Sequence, residues 1–296
     1  MDPLLVLFGL GVGALIGATG VGGGSVMTPL LILAFGTTPT VAVGTDLAYG
    51  AVTKTLGGWR HLRMGTVDTR LSLWLAAGSV PGALGGIATL EWLHGAHGDA
   101  FDDALLMAIG VAVLVTGIVV LGRTLFMPGA RDSERDEADL AGRRGLGAAA
   151  LGLVIGFVIG ATSVGSGALI AVGLILLFRL TPRRVVGTDV FHAAILLWVA
   201  ALAHLASGNV DLLLGLNILL GSLPGVWLGT HVSARLPEAG LRLALGVVLL
   251  GAGIAVFAKA GSQVPVAVLV GAGAALAAGG WAARSHRSRR QVVRAS

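Results

Sequence analysis

Two acidic residues stand where a carboxylate is costly. Asp46 and Asp189 each lie about two turns inside an apolar helical stretch, each following the same pair, Gly44-Thr45 and Gly187-Thr188. A free charge at such a depth is strongly disfavoured, so the group carries a proton or cation, or else pairs with a neighbour. On the first reading Asp46 and Asp189 are coupling-ion residues for H+ or Na+, with the oxygens of Thr45 and Thr188 beside them. On the second they are paired carboxylates that fix helix packing. Lys54 follows Asp46 by eight residues and so lies on a similar helix face. It pairs with that Asp through an intermediate group, attracts an anion, or snorkels towards the interface. His192 follows Asp189 by three residues, as Tyr49 follows Asp46. Both spacings suit a hydrogen bond, and His192 adds a group that titrates. His61 and His204 fall at helix ends, where an interfacial hydrogen bond is the expectation.

A second kind of chemistry needs only backbone. Gly17-Ala18-Thr19-Gly20-Val21-Gly22-Gly23-Gly24-Ser25 is matched by Gly160-Ala161-Thr162-Ser163-Val164-Gly165-Ser166-Gly167-Ala168, 143 positions later. In each, an apolar helix breaks off and a shorter one begins. Gly22, Gly23, Gly24 and Ser25 precede a helix start, as do Gly165, Ser166 and Gly167. Exposed amides and a positive dipole end there can hold an anion. The plainer reading is that the glycines only permit tight turning and close packing. Broken backbone inside a membrane must be buried in protein or line a cavity, which favours a pair of turns meeting near the midplane.

The elements that must carry these residues follow from composition. Hydrophobic residues make up 55% of the chain and charged ones 12%, with a mean hydropathy of +0.90. Soluble domains carry about 25% charged residues. Runs such as Leu4 to Ala18, Leu71 to Leu90, Ala104 to Leu121 and Leu241 to Ala258 approach the ~20 residues that span a bilayer. The expected fold is an all-α polytopic membrane protein. There is no cysteine, which excludes disulfides, thiol catalysis and thiolate metal sites. No G-x-x-x-x-G-K-[ST] loop supplies an ATP site. The first segment lacks a basic start and a small-residue cleavage site and is read as retained. Gly9, Gly13 and Gly17 form a small-residue packing stripe.

The segments are Leu4 to Thr19, Val26 to Phe35, Pro39 to about Trp59, Leu71 to Leu90 and Ala104 to Phe126. After the charged run Arg131 to Glu137 the pattern replays. Thr38-Pro39 returns as Thr181-Pro182, His61-Leu62 as His204-Leu205, Gly65 with Val67-Asp68 as Gly208 with Val210-Asp211, and Gly78-Ser79 with Pro81-Gly82 as Gly221-Ser222 with Pro224-Gly225. Without a gap, 29 of the 70 positions from Gly17 to Gly86 match those from Gly160 to Gly229, too many for chance. Lys54 falls opposite Leu197, and Trp74 opposite Asn217, an amide read as a polar helix contact. Pro81 and Pro224 are expected to break their helices as kinks or hinges. The expected units are residues 1–127, a first transmembrane repeat; 128–145, a charged cytoplasmic linker; 146–260, the second repeat; 261–283, an extra transmembrane helix; and 284–296, a basic tail.

Lys and Arg in short loops orient the chain. Arg60, Arg63 and Arg70 place the loop after segment three inside. The loop from Glu91 to Asp103 has no Lys or Arg and faces out. The linker is inside, and so is the loop with Arg179, Arg183 and Arg184. The loop at Ser207-Gly208-Asn209 faces out, Arg235 and Arg242 lie inside, and the tail with Arg284, Arg287, Arg289, Arg290 and Arg294 is cytoplasmic. Equivalent loops therefore fall on opposite sides, the pattern of two inverted-topology repeats of about five segments each, with short or re-entrant helices at the glycine turns: five crossings, or three plus a re-entrant hairpin, satisfy it. The N-terminus is expected outside and the C-terminus in the cytoplasm of a cell-membrane protein.

With these motifs the chain resembles the TauE/SafE sulfite exporter family, also called the toluene sulfonate uptake permease group. The resemblance rests on the two glycine turns, Gly44-Thr45-Asp46, Gly65-Thr66-Val67-Asp68, Gly78-Ser79-Val80-Pro81-Gly82 and their second-half partners. It covers roughly Leu4 to Phe257. It implies transport of small sulfur-containing or carboxylated anions across the cytoplasmic membrane. Where this chain has Thr45-Asp46 and Thr188-Asp189, family members often carry Thr-Ser, and a carboxylate repels an anion unless it is protonated or ion-bound.

The expectation is thus a secondary permease that moves a small anion by alternating access, coupled to H+ or Na+. It needs no cofactor, touches lipid but no nucleic acid, and is compatible with a homo-oligomer. Gly22, Gly23, Gly24, Ser25, Gly165, Ser166, Gly167, Thr45, Thr188 and Lys54 form the expected substrate site, Asp46, Asp189 and His192 the coupling site, and Pro81 and Pro224 the hinges. A passive anion channel is one alternative. An intramembrane serine hydrolase is another, on the partial nucleophile pattern Val164-Gly165-Ser166-Gly167, which lacks the first glycine.

Overall fold

A computed structural model describes residues 2–19, 23–97, 99–126, 137–140, 143–233 and 238–261. The expected helix at 261–283, the tail and most of the linker lie outside the described residues, as does Gly22. Ten helices occupy the described part, five in each repeat: α1 (Pro3–Thr19), α2 (Gly24–Ala34), α3 (Pro39–Arg63), α4 (Thr69–His97), α5 (Asp99–Phe126), α6 (Arg144–Thr162), α7 (Ala168–Phe178), α8 (Pro182–Ala206), α9 (Leu212–Ser233) and α10 (Glu238–Lys259).

Local chemistry sets the repeated boundaries. α3 and α8 begin with proline just after an extended threonine, Thr38 at φ −60°, ψ 145° and Thr181 at φ −58°, ψ 147°. Proline forbids helix in the residue before it and is preorganised for the first turn. Both helices end on a left-handed glycine, Gly65 and Gly208, where Thr66 N–H reaches back to His61 O and Asn209 N–H to His204 O. Glycine has no Cβ to clash in that conformation. Asp68 and Asp211 then cap the next helices, each carboxylate accepting from the backbone three residues on, Leu71 N–H at 3.0 Å and Leu214 N–H at 2.9 Å. These oxygens satisfy amides that the first turn leaves open.

Two expectations of the sequence need correction. Pro81 and Pro224 do not break their helices; both lie inside continuous ones, α4 and α9. Proline removes one ladder bond, and a helix in a packed interior survives that loss. The segment from Glu91 to Asp103, expected as an outer loop, is helical at its described residues, since α4 runs on to His97 and α5 starts at Asp99. Polar turns can continue a helix beyond the hydrocarbon, and hydropathy marks only the apolar part.

Every large helix pairing joins one half to the other: α1 with α9, α4 with α6, α3 with α8 and α5 with α10. Small residues make the first two. Gly9, Gly13 and Gly17 lie against Ile218, Ser222 and Val226, and in return Gly221, Gly225 and Gly229 lie against Val6, Leu10 and Ala14. A Cβ on any of these six glycines would come within 2.4 Å of a backbone oxygen. Such closeness permits backbone-to-backbone packing, which drives helix association where lipid offers no hydrophobic gain. The α4·α6 contact repeats the device with Gly78, Gly82 and Gly86 facing Gly152, Gly156 and Gly160 in alternation. Numbers rise together along both members of these pairs, so the helices are parallel. In the other two pairs one number rises as the other falls. Gly44 lies beside His204 and Asn209, Gly50 beside Leu197 and Gly57 beside Val190; Gly110 lies beside Phe257 and Gly117 beside Leu250. The repeat equivalents α3 and α8, and α5 and α10, are therefore antiparallel.

The surface is apolar, and within a mainly apolar interior a set of polar side chains is buried. Leu73, Trp92, Leu146, Val154, Leu213, Trp227 and Val247 are exposed, while Ser25, Thr28, Thr45, Asp46, Ser79, Thr188, Asp189, His192 and Ser222 are buried. Among the described residues, six helices are long and apolar enough to cross a bilayer. α3 has the length, 25 residues, but Asp46, Lys54 and the Arg60-His61 end dilute its apolarity. α2 and α7 have 11 residues each, about 16 Å at 1.5 Å per residue. That is roughly half of a ~30 Å hydrocarbon core.

Candidate functional site

The site forms where the two half-length helices begin. The N-terminus of α2 abuts the turn before α7. A Cβ on Gly24 would lie 2.4 Å from Ser163 O and 3.4 Å from Ser166 Oγ, and Gly165 N–H points to Ser25 Oγ at 3.4 Å. The second turn bends through left-handed backbone at Ser163, Gly165 and Gly167 (φ 59°, 107° and 103°). The two glycine turns thus meet. α2 starts at Gly24, so Gly24 and Ser25 belong to its first turn and Gly23 is its cap, while Gly167 caps α7.

Each Gly-Thr-Asp triplet divides three tasks among consecutive residues. The glycine lets the loop of the other repeat approach: a Cβ on Gly44 would lie 2.1 Å from Asn209 O, and one on Gly187 2.4 Å from Thr66 O. The threonine hydroxyl accepts a hydrogen bond from that loop. Asp211 N–H donates to Thr45 Oγ1 and Asp68 N–H to Thr188 Oγ1, both at 3.0 Å. The aspartate turns inward.

Asp46 is 1% exposed and Asp189 5%. Asp46 Oδ2 accepts from Thr28 Oγ1 at 2.6 Å and from Ser163 Oγ at 2.9 Å, so it ties α2 and the second glycine turn to α3. Asp189 lies by the Gly167 amide at the start of α7, where the helix dipole favours negative charge. Its Oδ2 lies 3.9 Å from Lys54 Nζ. Lys54 therefore reaches across the antiparallel α3·α8 crossing to the other repeat instead of back to Asp46. Oδ1 of each aspartate is buried and has no hydrogen-bond partner among the described residues. Val190 and Phe191, which follow Asp189, lie against Gly57 and Gly58, eleven and twelve residues along α3 from Asp46, so the backbones that carry the two acids are offset by roughly 16–18 Å along that axis.

Around this line lies a second pseudo-symmetric pair. His192 Nε2 and Ser79 Oγ are 2.8 Å apart, and Tyr49, the repeat equivalent of His192, lies beside Ser222, the equivalent of Ser79. His192 thus bonds α4 and not Asp189, three residues before it. The end histidines hold local structure, His204 bonding Gly160 O at 3.0 Å and His61 bonding Thr66 Oγ1 at 2.9 Å. Asn217 joins helix ends by accepting from Asp2 N–H. A cleft lined by Arg123, Arg242, Gly167 and Asp189 approaches the second acid. Of the residues that build the site, Thr28 had no signal, because its repeat equivalent is Ala171. Ser163 stood inside the glycine motif with Gly20 as its partner, and Ser79 and Ser222 were marked by the repeat, as were the Gly-Thr-Asp triplets.

A family model described as Sulfite exporter TauE/SafE matches residues 5–256. The chain belongs to the TauE/SafE family. It is 37% identical over 254 residues to the probable membrane transporter protein YjnA of Bacillus subtilis (strain 168), which spans 86% of this chain and 99% of that protein. A second Bacillus subtilis protein, the probable membrane transporter protein YdhB, is 27% identical over 244 residues, 82% of this chain and 94% of its own length. A probable membrane transporter protein of Xylella fastidiosa (strain 9a5c) is 25% identical over 238 residues, 79% and 87% of the two chains. No solved structure matches the chain. This is a membrane transporter of the TauE/SafE family, and Asp46 and Asp189 are buried inside it.

Proposed function

We propose that this TauE/SafE transporter is a secondary permease for a small anion, sulfur-containing such as sulfite or a sulfonate, coupled to H+ or Na+ and working by alternating access. One observation carries the reading: two half-length helices start against each other inside an apolar shell, between two buried aspartates that each keep an unpartnered oxygen. Amides at the helix starts suit an anion. The aspartates suit a cation that must be present before an anion can approach. The antiparallel course of α3 against α8 and of α5 against α10 supports an inverted repeat, and the arginine pattern supports an outer N-terminus in the cytoplasmic membrane. Rocking one repeat against the other then exposes the aspartates from either face.

The test is counterflow in proteoliposomes with sulfite, sulfonates, sulfate and small carboxylates, each with and without Na+ and at two pH values. Saturable exchange of one sulfur oxyanion, stimulated by a cation gradient, is expected. Flux that rises linearly with every anion and ignores both gradients would replace this reading with a passive channel.

A further inference from the structure

Asp46 and Asp189 occupy equivalent places in the repeat but keep different company. Around Asp46 stand the hydroxyls of Thr28 from α2 and Ser163 from the second turn, with Tyr49 one turn further along α3. No cationic side chain pairs with it among the described residues. Around Asp189 stand Lys54 from α3 at 3.9 Å and, lining the same cleft, Arg123 from α5 and Arg242 from α10. α7 contributes the Gly167 amide. The ion pair itself traces to one position. Because α3 and α8 cross antiparallel, Lys54 on α3 reaches Asp189 on α8, and the matching place on α8 belongs to Leu197, buried against Gly50.

We propose that Lys54 is a tethered cation that fills the second-repeat half of a duplicated coupling site, leaving Asp46 alone to take an exchangeable monovalent cation, H+ or Na+. The inference rests on the coupling role given to the aspartates above. A buried carboxylate needs a counter-charge or a proton. At Asp189 the chain supplies that charge covalently, so it cannot dissociate and cannot cycle. At Asp46 the hydroxyls and the unpartnered Oδ1 leave the charge to be met by an ion from solution. One coupling cation per chain follows.

Purified protein in detergent tests this without knowledge of the substrate. Radiolabelled Na+ binding, and proton uptake after a pH step read with an indicator dye, give the cations bound per chain and distinguish the two ions. The intact chain is expected to bind one, D46N none and K54L two. In the exchanged variant K54L/L197K the count returns to one, now abolished by D189N and unaffected by D46N. L197K alone, with both acids tethered, binds none. A count of one in K54L, or retained binding in L197K, overturns the inference even where D46N still abolishes binding. If D46N leaves binding unchanged, the coupling reading itself fails. Should K54L not fold, L197K decides the matter.

Discussion

Thr45 and Thr188 differ from the aspartates that follow them. Each hydroxyl is engaged by a backbone amide of the opposite repeat, Asp211 or Asp68, and both are fully buried. Valine at either position keeps the shape and strips the acceptor, leaving an amide unsatisfied. Such a group costs about 1–3 kcal/mol. T45V and T188V should therefore each lower the melting temperature of the detergent-solubilised protein, and T45V/T188V by roughly the sum, since the two sites lie apart and share no partner. Substrate affinity in counterflow should be unchanged in the folded fraction; a large loss of affinity without a loss of stability would return these hydroxyls to the substrate. The sequence read both threonines as substrate or ion ligands. Their type and spacing beside Asp46 and Asp189 were correct clues to a buried polar site, but one chain does not reveal which atom crosses from the other repeat.

At the scale of the element, the glycine stripes make a sharp contrast between neighbours in sequence. A Cβ on Gly156 would lie 2.2 Å from Ser79 O, and on Gly13 2.3 Å from Ser222 O, whereas Gly11 and Gly147 face open space. G13V and G156V must push two backbones apart, and the expected outcome is loss of the monodisperse peak in size-exclusion chromatography. G11A and G147A should elute as the parent does, with a small gain from helix propensity, up to about 1 kcal/mol each. Much of this was legible: Gly9, Gly13 and Gly17 announce a packing stripe by spacing alone. Its partner was not, since the stripe does not say that α1 lies along α9 and not along a neighbour in its own half. Helix ends were read less well. Hydropathy missed the polar turns from Glu91 to His97, and Pro81 and Pro224 suggested breaks that the surrounding packing prevents.

For the whole molecule the testable claim is orientation. Met64 and Ser207 are repeat equivalents, 143 positions apart, and both are exposed in the short turns after α3 and α8. The chain has no cysteine, so M64C and S207C each introduce a single thiol. In intact cells a membrane-impermeant maleimide should label S207C, and M64C only after the membrane is opened. Labelling of both from the same face would refute the inverted repeat. The ten-helix plan of the described residues was readable because the halves share 29 of 70 aligned positions over their first four segments.

The pairing of every large contact across the halves bears on ancestry. A lone five-helix unit would leave the glycine faces of α1 and α4, and the inner faces of α3 and α5, uncovered. Before the two units were fused, such a unit could have matched those faces only with an oppositely inserted copy of itself. On the orientation proposed above, the arginines that point each half in one direction would then postdate an ancestor that entered the membrane both ways. Biogenesis inherits the problem: the first half leaves the ribosome without its partners, and α1 must wait for α9. Residues 1–127 and 146–296 produced as separate polypeptides should accumulate only when made together, and degradation assays on each fragment alone would read that dependence directly.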